Sequence, residues 1–553
     1  MKKTYGKIKF ENEKWIITNI EPHVSIKLKS IFTKIPKTQT CPFFFNNSSE
    51  NCSDLVWFFS RYPFEISKKD LNLLKNGKKT YDDNINYLEN LINNKIELKT
   101  DLSFKENVKI RNYQLQINEI LTINKTLLCG DDLGLGKTYS GIASIMSKDK
   151  LPAAIVVQTH LPYQWENKIN EISYLKTHII KSRKPYILPE SDVYIFKYSV
   201  LSGWVDLINT GIFKTVIFDE CQELRAGVNT EKGKAASVLC KNAIYKLGLS
   251  ATPIYNYGDE IWNIYDILEQ GILGERNEFL REWSSGNYEK NKILIKDPKA
   301  LGSYLREKFL LIRRTKHDVG QYLEPVNKLV YNVEYDENKV KSCIEIAEKL
   351  AIKSLTGTFT ERGQSARELD LLLRHYTGIS KAKYVAEFIK VFLDNNEPVV
   401  LVGWHRDVYD TWNKELKEYK PLMYTGTETG KDKQKNVQKF INGESNLLIL
   451  SLRSGAGLDG LQKRASIVVF GELDWSPQVH EQVIGRLFRE GQKERVMAIY
   501  LVSNFGSDPL MIDLLGVKSS QSNSILNPEI ENAILKTSDN SRLKLLAEKI
   551  LQK

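Results

Sequence analysis

Two separate series of short apolar runs, each run bounded by turns and followed by a helical stretch, constrain this chain more than any other feature. The first series is Thr126 to Cys129, Ala153 to Val157, Val193 to Phe196, Thr215 to Phe218 and Ala243 to Leu249. The second is Pro398 to Val402, Leu447 to Ser451, Ile467 to Phe470 and Met497 to Leu501. Continuous apolar runs that alternate with helices mark strands buried on both faces, which is the pattern of βαβ units in a parallel sheet. Between the two series lies a charged, helix-periodic region from Pro253 to residue 376, including Asn338 to Leu355 and Arg362 to Tyr376. The expected fold is α/β: two parallel-sheet lobes separated by a helical insert.

At about 100 to 200 residues per domain, the 553 residues predict three or four domains. The expected division is a small basic N-terminal accessory domain (1–100), a first lobe (101–316) with protrusion helices near 254–310, a helical insert or linker (317–376), a second lobe (377–505), and a C-terminal brace or tail (506–553). A polar stretch rich in lysine and asparagine, residues 66 to 110, separates the N-terminal segment from the first lobe. Hydrophobic residues at 42% and charged residues at 27% exclude a wholly disordered, collagenous or fibrous chain. The six cysteines form no CxxC pair and there is no His cluster at zinc spacing, so no structural zinc and no disulfide framework is expected. No apolar run nears the roughly 18 residues of a membrane span. These features predict a soluble protein of a reducing compartment. The Lys-, Asn- and Ile-rich composition points to a bacterial or viral source and hence the cytoplasm, or to the nucleus in a eukaryote.

The net charge is +11, and residues 1 to 100 hold 17 Lys and Arg against 11 Asp and Glu, more than half of that surplus. A basic balance favours nucleic acid or a membrane surface as partner, or serves only solubility. The same segment carries Phe43, Phe44, Phe45, Trp57, Phe58, Phe59, Tyr62 and Phe64 beside Arg61, Lys68 and Lys69. Such a cluster either stacks on exposed bases or forms the core of a small α/β domain; the second reading is favoured because dense aromatics are more often core.

Gly134-Leu135-Gly136-Lys137-Thr138 follows the predicted strand Thr126 to Cys129 and opens a predicted helix, Tyr139 to Met146. In that context backbone amides cradle phosphate oxygens, Lys137 supplies a point charge to the β and γ phosphates, and the Thr138 hydroxyl ligates Mg²⁺. Gly134 and Gly136 keep any Cβ from holding the phosphate off the amides. Strict P-loop spacing asks for glycine at 131, where Asp131 stands. Asp219-Glu220-Cys221-Gln222 ends an apolar run and puts two carboxylates at the carboxyl edge of the same sheet. Asp219 is suited to hold Mg²⁺ through water and Glu220 to orient and deprotonate an attacking water; the bland alternative for the pair is a helix N-cap.

The order of these motifs resembles a superfamily-two helicase core, specifically the Swi/Snf-type ATPases, from about residue 108 to 505. The resemblance implies two RecA-like lobes. Arg111-Asn112-Tyr113-Gln114 resembles the segment whose glutamine, here Gln114, reads adenine. Asp131-Asp132-Leu133-Gly134-Leu135-Gly136-Lys137-Thr138 resembles the family's acidic phosphate loop. Ala154 to Trp165 resembles the first strand-contacting motif, with Thr159 as the implied contact and Gln158 where proline is usual. Gly248-Leu249-Ser250-Ala251-Thr252-Pro253 resembles the motif that couples hydrolysis to lobe movement through Ser250, Ala251 and Thr252. Arg313-Arg314-Thr315-Lys316-His317-Asp318-Val319 resembles the arginine-rich segment that closes the first lobe.

In the second lobe, Tyr424-Thr425-Gly426-Thr427 resembles a short nucleic-acid loop, which assigns Thr425 and Gly426 to that partner. Ser451 to Asp459 resembles the glycine-rich motif, in which Gly455 and Gly457 offer backbone amides. Trp475-Ser476-Pro477 followed by Gln482, Gly485, Arg486, Arg489, Gly491 and Gln492 fits QxxGRxxRxGQ and implies nucleotide contact by Gln482. Arg486 and Arg489 lie three apart on a predicted helix and share a face, so both reach phosphate oxygens held by the other lobe; the alternative is a solvated basic face. Two departures stand out. Cys221 and Gln222 replace the Ala-His of the usual box, leaving Gln222 to donate across to residues 250–252. Asp459 stands where asparagine is common and would repel a DNA phosphate. Val469 to Trp475 is most similar to the annealing-helicase subgroup, and Lys29-Ser30-Ile31-Phe32 with Trp57 resembles the small domain those enzymes carry before the motor.

The resemblance implies an ATP- and Mg²⁺-using translocase on double-stranded DNA, largely indifferent to sequence, with protein partners reachable through the N-terminal domain or the C-terminal tail. A strand-separating DNA or RNA helicase shares every ATPase residue named. A DNA-binding recruitment module with weak ATPase is disfavoured by the intact Lys137, Glu220, Arg486 and Arg489.

Overall fold

The computed structural model describes residues 3–512 except 33–34, 36–37, 97, 99–103, 107, 252, 254–259, 285–294, 321–323, 325 and 453–457, and also 546–548 and 550–551. Its N-terminal unit is an antiparallel sheet of β1 (Lys7–Glu11), β2 (Lys14–Thr18) and β3 (Phe43–Asn46) in that order. Strand periodicity sends Ile8, Trp15, Ile17, Phe43 and Phe45 to one buried face, where Val24, Leu28, Leu55 and Phe58 of two helices close the core. The aromatic cluster is therefore mostly core. Phe44 and Trp57 are exposed, with the Arg61 guanidinium 4.8 Å from the centre of the Trp57 ring.

The stretch read as a polar separator is instead a 25-residue helix, Lys68–Ile92, capped where the Ser67 hydroxyl accepts the Asp70 N–H. Its few apolar residues serve two cores. Leu74 packs with the N-terminal aromatics, whereas Leu88 and Leu91 pack with Ile117 and Leu121 of the first lobe. Lys308 of the first lobe also bonds Glu50 at 3.1 Å.

The first lobe is a seven-stranded sheet of β4 (Thr126–Cys129), β5 (Ala153–Val157), β6 (Thr177–Ile179), β7 (Val193–Lys197), β8 (Thr215–Asp219), β9 (Tyr245–Leu249) and β10 (Leu311–Ile312). All pairings are parallel, in the order β10-β4-β9-β8-β5-β7-β6. The five expected runs are the inner strands; the two unexpected ones are short strands at the edges. Register aligns Cys129 and Asp219 with Leu249, so the segments after β4, β8 and β9 emerge side by side at the carboxyl edge. The helices expected as a protrusion, Glu260–Leu268, Arg276–Trp283 and Pro298–Glu307, bury Ile264, Phe279 and Leu301 in the core of this lobe.

The second lobe contains β11 (Asn327–Asn332), β12 (Val399–Gly403), β13 (Leu422–Tyr424), β14 (Leu447–Ser451), β15 (Ile467–Phe470) and β16 (Met497–Val502), parallel in the order β11-β16-β15-β12-β14-β13. Two features correct the expected helical insert. Residues 327–332 form an edge strand of the second sheet, and the following helix pair, Glu337–Thr356 and Phe359–Asp394, runs through residue 376, burying Ala382, Val385 and Ile389 against that sheet. Near the C-terminus, Leu546 and Ala547 pack on Val340, Leu369 and Phe505.

Candidate functional site

The loop from Gly130 to Lys137 turns back under β4 because Gly134 (φ +87°) and Gly136 (φ +75°) adopt left-handed conformations. A Cβ on Gly136 would also stand 2.6 Å from Gln114 Nε2. Asp131, the departure from glycine, has a structural explanation. Its buried carboxylate accepts the Arg314 backbone N–H at 3.0 Å and the Arg314 guanidinium at 3.1 Å. Arg313 holds Asp132 at 2.8 Å and donates to the Gly130 and Ala251 carbonyls. Two arginines from the end of the first lobe thus pin the phosphate loop on its acidic residues with charge-assisted bonds, the Arg314 pair buried and the Arg313 pair partly exposed at Asp132.

A cavity of about 240 Å³ opens between the lobes, and Gly134, Gly136, Lys137, Thr138, Asp219, Glu220, Arg486 and Arg489 all line it. Six of these come from the first lobe and two from the helix Pro477–Leu487 and the turn after it. Lys137 Nζ donates to the carbonyls of Asp131 (2.7 Å) and Asp132 (3.1 Å); burial pulls its pKa below the ordinary value, against the attraction of Glu220. Burial, then the Glu220 charge, pushes the Asp219 carboxyl above the ordinary range. Each Asp219 oxygen takes one donor, the Trp165 indole N–H at 2.7 Å and the Glu220 N–H at 3.1 Å, leaving lone pairs toward the cavity. A raised, partly satisfied carboxylate on the same cavity wall as Thr138 fits a divalent cation, because the cation restores the charged form.

Arg486 is buried, donates to the Leu458 carbonyl at 3.3 Å and leaves its Nε without a partner among the described residues; burial, with Arg489 beside it, pulls its pKa to about 10. Arg489 bonds Asp459 at 2.9 Å. Asp459 thus stands on the wall of the inter-lobe cavity, paired with an arginine. Burial opposes its charge, but Arg489, with Lys168 and the Gly460 N–H, outweighs burial and holds the carboxyl below its ordinary value.

Other expected residues are placed differently. Gln114 does not line the cavity; its Nε2 donates to the Leu135 carbonyl (3.0 Å) and its Oε1 accepts the Arg111 N–H (3.0 Å). Gln482 lies on the arginine helix but not on the cavity wall. Gln222 donates to Glu220 Oε2 at 2.6 Å and not across to Ser250 and Ala251, and its side-chain Oε1 is buried without a partner among the described residues. Ser250 is fully buried, its N–H on the Cys129 carbonyl. Thr252, Gly455 and Gly457 lie outside the described residues. Thr425 is buried, with its N–H (2.6 Å) and hydroxyl (2.9 Å) both given to Glu428, so these donors are engaged; Gly426 faces open space. Thr159 lines a second cavity, of about 560 Å³, beyond the carboxyl ends of β5 and β7.

Sequence reasoning missed Trp165 as the donor that orients Asp219, and Lys168 as a further cation on the cavity wall. Their i, i+3 spacing on the helix Pro162–Ile172 is the available signal, since it puts both on one face. It also missed the way the lobes meet. Leu133 of the phosphate loop seats against Gly485, where an added Cβ would stand 2.6 Å from its Cδ1.

The SNF2-related domain family matches residues 55–378, and the helicase conserved C-terminal domain matches residues 380–491. Among curated proteins, an "Uncharacterized ATP-dependent helicase" of Mycoplasma pneumoniae is 24% identical over 80% of this chain and 44% of its own length. The human "DNA annealing helicase and endonuclease ZRANB3" is 25% identical over 73% of this chain and 39% of its own. The chain thus spans less than half the length of these relatives. A solved structure titled "Sulfolobus solfataricus SWI2/SNF2 ATPase core in complex with dsDNA" is 21% identical and covers 82% of this chain and 98% of its own, with a TM-score of 0.38. With more than half its length inside one family domain and a helicase C-terminal domain directly behind it, the chain belongs to the SNF2-related family of helicase-type ATPases.

Proposed function

We propose that the chain is an ATP-dependent translocase on double-stranded DNA, in which ATP binding closes the two lobes and hydrolysis reopens them. The observation that carries this reading is the single cavity on which Lys137, Thr138, Asp219 and Glu220 of one lobe face Arg486 and Arg489 of the other. Lys137 exchanges its two carbonyl partners for the β and γ phosphates of ATP. Glu220, held by Gln222, orients the attacking water and takes its proton. Arg486 and Arg489 place charge on the transferring phosphoryl group only when the lobes are together, which links chemistry to motion. Mg²⁺ held by Thr138 and Asp219 would neutralise phosphate charge as that group transfers.

DNA is the favoured partner because the second cavity gathers the cations Arg183 and Lys232 with Thr159, His160, Ser199 and Ser202 at the carboxyl edge of the first sheet. Glu223 and Glu231 line it too, and Glu223 is paired with Lys232, so the site suits a phosphate backbone gripped at a few points and released. Two of the relatives described above are named as helicases, one of them on DNA. The test is the ATPase rate with duplex DNA, single-stranded DNA and RNA. Duplex should stimulate most, with the effect fading steeply as salt rises. Stimulation by RNA alone, or none by duplex, would overturn the reading.

A further inference from the structure

We propose that Lys316 is a positioning residue for the phosphate-facing arginines: a lysine of the first lobe that holds the end of the arginine-bearing helix and thereby sets Arg489 opposite the phosphate loop when the lobes close. The inference rests on the reading of the inter-lobe cavity as an ATPase site and deepens it.

Lys316 follows the two arginines that pin the phosphate loop, and its side chain passes beside Gly134 of that loop to reach the second lobe. Its Nζ donates to the Phe488 carbonyl and lies 3.3 Å from the centre of the Phe488 ring. Phe488 is the C-cap of the helix Pro477–Leu487. Carbonyls at a helix C-terminus lack intrahelical donors and carry the negative end of the macrodipole, so a lysine there is favoured on both counts. Because Phe488 stands between Arg486 and Arg489, fixing its peptide fixes the start of the Arg489 side chain. The three parts converge at one point: a Cβ on Gly134 would stand 2.8 Å from Arg489 Cβ and 3.8 Å from Lys316 Cε.

Packing alone gives no reason for a lysine here. Lys316 is only 7% exposed, and the charged groups around it are mixed: Asp132 and Glu481 attract it, Arg489 and Lys137 repel it. A methionine would fill the same space without desolvating a charge. An ion pair also joins the lobes, Arg111 with Glu490, but it is solvent-accessible and adds little. Burial draws the Lys316 ammonium down to about 7, so its charge is partly lost over the physiological range, whereas an arginine in its place stays charged. That difference supplies a readout that a purely structural role does not move.

The experiment uses the full chain with duplex DNA and compares Lys316→Met and Lys316→Arg with the unaltered protein. Closure is read by fluorescence energy transfer between dyes at Lys184→Cys and Lys435→Cys, in a Cys41→Ser background, on adding a non-hydrolysable ATP analogue. Lys316→Met should show less than a third of the closure signal and at least a tenfold lower kcat, with analogue affinity within about threefold. Lys316→Arg should recover most of both, and the ratio of its kcat to that of the unaltered protein should rise several-fold from pH 6.5 to 8.5. Unchanged closure in Lys316→Met, or a pH-independent ratio, overturns the proposal; should the methionine variant not fold, the arginine ratio decides. The closure signal stands apart from turnover. If the unaltered protein closes but hydrolyses no ATP, the ATPase reading fails while closure still judges Lys316.

Discussion

Gly485→Ala should separate stability from activity, because the glycine lies inside a helix yet faces the other lobe. Within the helix Pro477–Leu487, replacing glycine by alanine favours the helix by about 1 kcal/mol. In the closed arrangement the new methyl would stand 2.6 Å from Leu133 Cδ1, 2.7 Å from its Cβ and 3.1 Å from its Cγ. A rotamer change moves Cδ1 and Cγ but not Cβ, so the phosphate loop or the helix itself must retreat by several tenths of an ångström. Overpacking of this kind costs about 1–3 kcal/mol, here only when the lobes are together. At roughly tenfold per 1.4 kcal/mol, the ratio of closed to open protein falls about 5- to 150-fold, and where closure limits turnover the turnover number falls with it. The assay pairs a thermal melt with DNA-stimulated ATPase. The melt should stay or rise while kcat falls at least fivefold, and Leu133→Ala in the same chain should restore part of the loss. A kcat within twofold of the original, or a melt lowered by several degrees with activity following it, would show that Gly485 serves the second lobe's own packing and not the seam.

Trp165→Phe removes the one side-chain donor to the Asp219 carboxylate among the described residues while keeping an aromatic ring in the core. A hydrogen bond to a buried charge is worth about 1.5–3 kcal/mol, so turnover should fall at least tenfold; full turnover would mean that the indole N–H does not set the carboxylate. His480 is buried and neutral, donating to the Ser476 carbonyl (3.1 Å) and accepting the Asp474 N–H (3.3 Å), and burial pulls it down to about 4. Unfolded histidine takes up its proton near 6.5, so the stability this residue contributes is present above 6.5 and is lost as the pH falls toward 4. Between pH 7 and 5, urea denaturation should lose about 2 kcal/mol more in the unaltered protein than in His480→Gln; parallel losses would refute the assignment.

The inner strands of both sheets were legible because each is buried on two faces and reads as an unbroken apolar run, as Ala153 to Val157 and Leu447 to Ser451 do. Strands at the edges leave a weaker trace. β11 is largely exposed, and its Asn-Lys-Leu-Val-Tyr-Asn sequence disappears beside the helices that follow. The helix Lys68–Ile92 escaped notice since it buries only Leu74, Leu88 and Leu91. At the site, local motifs located Lys137, Asp219, Glu220 and the arginines, whose spacing along the chain is fixed by the chemistry they share. The partners of Asp131, Asp459 and Gln222 were not legible. Asp131 and Asp459 take partners far along the chain, Arg314 and Arg489, the first pair 183 residues apart, whereas Gln222 turns back on Glu220 two residues before it, a choice set by the tight turn after β8.

The helix shared by two cores also has a mechanical meaning. Its end at Leu91 gives its carbonyl to Gln116 (2.7 Å), Gln116 receives Arg314 (2.7 Å), and Arg314 grips Asp131 of the phosphate loop (3.1 Å). The N-terminal unit therefore rides with the first lobe as a lever arm clamped close to its fulcrum. A displacement of the helix end at Leu91 would reach the Gly130–Lys137 loop through Gln116 and Arg314, a path of three hydrogen bonds. For the same reason a truncation at residue 100 would not leave the first lobe intact. It would strip the apolar backing from Ile117 and Leu121 and leave the loop's anchoring arginine bonded to a glutamine that has lost its own hold.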